Sequence, residues 1–184
     1  MGHSKERKKM KSKFFIFALA ISFLVTCGIL FAHEHDAPTQ AAVTPEFLRI
    51  KNLAGAWKGT ADHEGKKENV TVEYQVTSGG SAVIEKLMPG TPQEMVSLYY
   101  EEKGKLRMTH YCMLGNRPTL ELKKSGPKGL SFELAKNSGI DIKKEVHMHA
   151  LKLSFDQDKL TQEWTSFKGG KPQDKAVFNL TRVS

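Results

Sequence analysis

The chain has 184 residues, 28 lysines and arginines against 20 acids, and a formal net charge of +8. Lys5, Arg7, Lys8, Lys9, Lys11 and Lys13 crowd the first 13 positions against one acid, Glu6, so the remainder carries 22 basic and 19 acidic residues and no stripe fit to neutralise a nucleic-acid backbone. With 39% hydrophobic and 26% charged residues, disorder throughout is excluded, and the roughly 150 residues beyond the N-terminal segment suffice for one domain with its own core.

Residues 14–31, FFIFALAISFLVTCGILF, are free of charge, follow the basic segment and precede the small residue Ala32. This order predicts an export signal over residues 1–32, and hence a periplasmic or secreted protein. The run is longer than a usual signal core, so an uncleaved membrane anchor is the alternative, and the only membrane contact this reading allows. Met10 is a second candidate start, because MKSKFFIF opens in the usual manner of a signal. Cys27 lies within the run, with Thr26 before it and Gly28-Ile29-Leu30-Phe31 after it, a poor context for lipidation. Cys112 is then the sole exported cysteine, so no intramolecular disulfide can form and the fold must rest on its apolar core.

Residues 33–43, HEHDAPTQAAV, read as a polar linker. Thr44-Pro45-Glu46 predicts a short helix: a capping hydroxyl, a proline suited to the first turn and a carboxylate at the positive end. Phe47, Leu48, Ile50 and Leu53 give it an apolar side, and Gly55 ends it.

From Ala56 onward the hydrophobic period changes to two. Trp57, Gly59 and Ala61 alternate with Lys58, Thr60 and Asp62; Val70, Val72, Tyr74 and Val76 with Thr71, Glu73 and Gln75; Leu106, Met108, His110 and Cys112 with Arg107, Thr109 and Tyr111. The same pattern returns at Leu120–Leu122, Leu130–Leu134, His147–Phe155 and Ala176–Arg182, and more weakly near 82–88, 94–102 and 159–167. About ten strands separated by short turns predict an all-β, up-and-down antiparallel barrel over residues 44–184.

Trp57 opens the first strand just after the helix, and Arg182 stands on the inward face of the last strand. First and last strands adjoin in a closed barrel, so a guanidinium can stack on the indole and seal one end. The Gly55-Ala56-Trp57 stretch and closing Arg182 resemble the corresponding features of calycin barrels, which include lipocalins and fatty-acid-binding proteins. A closer resemblance covers residues 45–183 and is to a bacterial family of lipocalin-like barrels whose domain has no assigned function. It rests on Leu53-Ala54-Gly55-Ala56-Trp57, Thr109-His110-Tyr111-Cys112, Gly115-Asn116-Arg117-Pro118, His147-Met148-His149, Glu163-Trp164 and Arg182. That family often has glutamine where Arg117 stands here. The resemblance implies a barrel with a cavity and no particular reaction.

Strand parity places His110, Cys112, His147 and His149 inward, with His110 and Cys112 roughly 7 Å apart along one strand. Three readings stay open. In the first the imidazoles are polar cavity lining, bonded to each other, Tyr99, Gln162 or water; in the second they contact the head of a small, largely apolar ligand, with Tyr99 and Trp164 in the wall; in the third His110, His147 and His149 hold a transition metal such as zinc or copper. Related barrels that ligate haem through one inward histidine add haem as a candidate cofactor. No Gly-x-Ser-x-Gly, Walker-type or zincin spacing occurs, and Cys112 beside His110 is the one nucleophile–base pair on offer, so an enzyme is the weakest of the functional readings.

Overall fold

The computed structural model describes residues 43–183. The apolar run, Cys27 and nearly all of the linker lie outside the described residues. Helix α1 spans Pro45–Lys51, and ten strands follow: β1 (Gly55–His63), β2 (Lys66–Thr77), β3 (Ala82–Leu87), β4 (Met95–Glu102), β5 (Lys105–Tyr111), β6 (Thr119–Gly126), β7 (Gly129–Leu134), β8 (His147–Asp156), β9 (Lys159–Lys168) and β10 (Lys171–Arg182). Each strand pairs antiparallel with its sequence neighbours, and β1 pairs with β10, so the sheet is a closed up-and-down barrel with no free edge.

Five of the connections are two-residue turns, at 64–65, 103–104, 127–128, 157–158 and 169–170, short enough to force each strand beside the one before. The closing seam needs a small residue. Gly59 faces Leu180 across it, and a Cβ at Gly59 would come within 1.8 Å of the Asn179 carbonyl oxygen.

Helix α1 plugs one end of the barrel. Thr44 caps it, its hydroxyl accepting from the Phe47 amide at 3.2 Å. Phe47, Ile50 and Leu53 turn into the core with Trp57, Val72, Leu106, Leu153 and Leu180. Polar contacts fix the helix to the turns at that end: Arg49 donates to the Gly126 carbonyl at 2.8 Å and lies 4.6 Å over the Phe155 ring, and the Thr44 amide donates to Glu101 at 3.1 Å. Beside them the Arg182 guanidinium stands 4.4 Å over Trp57 and donates to the Ala54 and Asn52 carbonyls, while the Trp57 indole donates to Leu53 at 2.8 Å. Cation, ring and three backbone carbonyls of the helix exit thus form one knot at the plugged end.

At the opposite end the chain makes its longer excursions, residues 88–94, 112–118 and 135–146. The second is tightened by Cys112 and Gly115–Asn116 backbone bonds, and Asn116 Nδ2 donates to the Val146 carbonyl at 2.8 Å, tying two of these loops together.

Candidate ligand-binding cavity

A cavity of about 390 Å³ opens at this second end. Its walls are mainly apolar, with Ala61, Leu87, Ala176 and Phe178 joined by Met88, Met95, Met113 and Met148. Unbranched thioether chains adapt to varied apolar shapes, so four methionines make a compliant wall. His110, Cys112, Trp164 and Ser166 supply the polar and aromatic spots within it, and Glu68, Gln93, Gln173 and Asp174 stand among the lining residues as well. Asp174 is paired with His63.

His110 and Trp164 come from opposite walls, β5 and β9, and their rings meet with centroids 4.7 Å apart. They close the cavity toward the core. Behind them lies a buried polar cluster that hydrophobic periodicity does not reveal. Tyr74, Glu85, Ser97 and His110 lie directly opposite one another on β2, β3, β4 and β5, a continuous inward row across four strands. Tyr74 and Tyr99 donate to Glu85, at 2.6 and 3.1 Å; Gln162 Nε2 donates to Glu85 and to the Tyr74 hydroxyl, both at 2.7 Å; the Trp164 indole donates to Gln162 Oε1 at 3.0 Å. Ser97 stands directly opposite Glu85, and its oxygen lies 3.1 Å from His110 Nδ1.

Burial pushes the Glu85 carboxyl above its ordinary range, while the bonds from Tyr74, Ser97, Tyr99 and Gln162 act against that rise. The same burial, reinforced by the Glu85 charge, holds the Tyr74 and Tyr99 phenols well above theirs. His110 is driven down to about 4 by burial, so its imidazole is neutral at physiological pH. Burial raises the Cys112 thiol, against the opposing pull of the Leu114 and Met113 amides. A thiol held protonated is a poorer nucleophile than a thiolate.

Of the residues expected at the cavity, His110, Cys112 and Trp164 line it, and His147, His149 and Tyr99 do not. Tyr99 lies deeper, in the Glu85 cluster. For the two histidines the inward expectation is corrected by a bulge in β8. Met148 pairs with Ser166 and Ala150 with Thr165, so one residue between them has no partner and the alternation reverses. Leu151 and Leu153 keep to the core, but toward the cavity end Met148 takes the inward place and His147 falls opposite Phe167 on the other face. The displaced histidines satisfy each other: His147 Nδ1 donates to the Glu145 carbonyl at 2.9 Å, leaving its Nε2 to accept from His149 Nδ1 at 3.2 Å. His149 stacks on Phe167 with centroids 3.8 Å apart. Burial, and then the His147 neighbour, lower its pKa.

The metal expectation on His110, His147 and His149 fails for the same reason. Among the described residues, no three His, Cys, Asp or Glu side chains form a metal-holding group. Haem does not fit either. His110 could serve as an axial imidazole, but haem brings two carboxylates, and the cavity lining offers them Glu68 and Asp174 with no lysine or arginine.

No protein-family model and no curated protein matches this chain.

Proposed function

We propose that this is an exported binding protein of lipocalin-like form that holds one small, largely apolar molecule in the open end of the barrel. The supporting observation is a cup of about 390 Å³ with a methionine-rich wall and with the His110 and Trp164 rings meeting at its floor. That is the form of a small-molecule site: concave, mostly apolar, with a few convergent polar atoms. The volume lies at the lower end of the ~300–1,000 Å³ span of such sites, which suits a single chain or ring system better than a bulky lipid. The plugged end matters as much as the open one, because it keeps the cup blind. Head contact falls to His110, with Cys112 and Ser166 nearby, and the His147–His149 pair, outside the cavity lining, takes no part. Export rests on the basic, apolar and small-residue order of residues 1–32.

Native mass spectrometry of the protein isolated from its own host tests this reading. The expected result is an adduct of a few hundred daltons that organic solvent releases and that Ala176→Trp, which fills the cup, prevents. An adduct that persists unchanged in Ala176→Trp would place the ligand elsewhere and overturn the proposal.

A further inference from the structure

The polar row behind the cavity fixes more than the position of His110. Glu85 takes hydrogen bonds from Tyr74, Tyr99 and Gln162, and Ser97 stands directly opposite it on β4. Three donors converging on one carboxyl group suit an acceptor-only carboxylate. Ser97 carries a single hydroxyl proton, and the carboxylate opposite draws it. The contact between Ser97 Oγ and His110 Nδ1, 3.1 Å long, therefore has the opposite sense: Nδ1 carries the ring proton and donates to the serine oxygen. Since a neutral imidazole holds one proton, Nε2 is left with a lone pair. His110 is 2% exposed, lines the cavity, and makes no hydrogen bond through Nε2 among the described residues. Nor is that atom among the enclosed polar atoms without a partner, so it opens to the cavity. A buried acceptor aimed into an apolar cup calls for a donor.

The surrounding charges narrow the choice. No lysine or arginine lines the cavity and the lining His63 is taken up by Asp174, whereas Glu68 adds an acid there and Glu85 lies one side chain behind His110. A ligand ending in a carboxylate would set its charge against a lone pair and lose its water with no cation in return. Taking the binding function above as given, we infer that the cavity selects a neutral ligand whose head donates a hydrogen bond, a hydroxyl or an N–H, to His110 Nε2, and discriminates against carboxylates. Glu85 and Ser97 are the positioning residues, acting through the ring tautomer.

Two measurements test this. The first needs no ligand: nitrogen NMR of the full chain at neutral pH, read at the His110 ring. The proton should sit on Nδ1 in the wild type, and Ser97→Ala should remove that preference. The second is calorimetric binding of three ten-carbon probes: decanol, which donates; methyl decanoate, which is neutral and only accepts; and decanoate, which is anionic. Decanol should bind about tenfold more tightly than the ester, decanoate should bind most weakly, and His110→Phe should abolish the preference for decanol over the ester. A proton on Nε2, or an ester or carboxylate bound as tightly as the alcohol, overturns the inference and leaves the binding function standing. A wild-type ring protonated on Nδ1 together with no binding of any probe overturns the binding function, and the inference with it.

Discussion

His110 carries a pH signature that can be read without knowing the ligand. Its folded-state pKa is lowered to about 4 from the usual 6.5, so between those values the unfolded chain takes up a proton that the folded protein refuses. The stability this neutral imidazole contributes is complete above about pH 6.5 and is lost as the pH falls toward 4, a change of about 3 kcal/mol. Glu85 has the opposite sign: its raised pKa means that the folded state holds a proton longer, so its contribution falls as the pH rises above the ordinary carboxyl range. The comparison that isolates His110 is urea unfolding of wild type against His110→Gln, whose stability difference should shift by about 3 kcal/mol in favour of the variant between pH 7 and pH 4. A constant difference would mean that the ring is not buried as described. At the plugged end, Trp57→Ala should cost about 3–5 kcal/mol, because it removes a fully buried ring. Arg182→Lys should cost about 1 kcal/mol despite keeping the charge, since lysine cannot both lie flat over the indole and reach the Ala54 and Asn52 carbonyls. Thermal unfolding of the two variants checks both.

At the scale of elements, the β1–β10 seam and the β8 bulge show where a sequence pattern suffices and where it does not. Gly59 is forced by the close approach of Asn179, so Gly59→Ala should cost about 3 kcal/mol, the upper end of the usual overpacking range. Gly126→Ala, where a Cβ meets open space, should change stability by less than about 0.5 kcal/mol. Equal losses in denaturant titrations of the two variants would contradict the tight seam. The strands themselves, the capped helix and the Trp57–Arg182 stack were all legible, because alternation, a capping hydroxyl and the adjacency of first and last strands each leave a local mark. His147 and His149 were not placed correctly, since a single extra residue in β8 reverses the face of everything beyond it and no turn residue announces it. Glu85 was missed for a different reason. In Val83-Ile84-Glu85-Lys86-Leu87 the charged residue looks like the solvent-facing member of a weak strand, and only the tyrosines, serine and glutamine brought to it from β2, β4 and β9 make its burial tolerable. Partners so distant in sequence give no local signal.

For the whole molecule, the division of labour runs along the barrel axis. Helix α1 and the Trp57–Arg182 knot close one end, the Glu85 cluster fills the middle with a satisfied polar network, and the open end holds the cup. This arrangement supplies its own internal control, because the chain has two tryptophans and they stand at different levels: Trp57 at the plug and Trp164 at the floor of the cavity. Each indole N–H gives one resonance, held by Leu53 in the first case and by Gln162 in the second. The most direct test of the central claim is therefore a titration of the isotopically labelled protein with decanol, following the two indole signals. Occupation of the cup predicts that the Trp164 signal moves with saturation while that of Trp57 stays in place. A Trp57 signal that moves instead, or two signals that both stay fixed at saturating decanol, would contradict it.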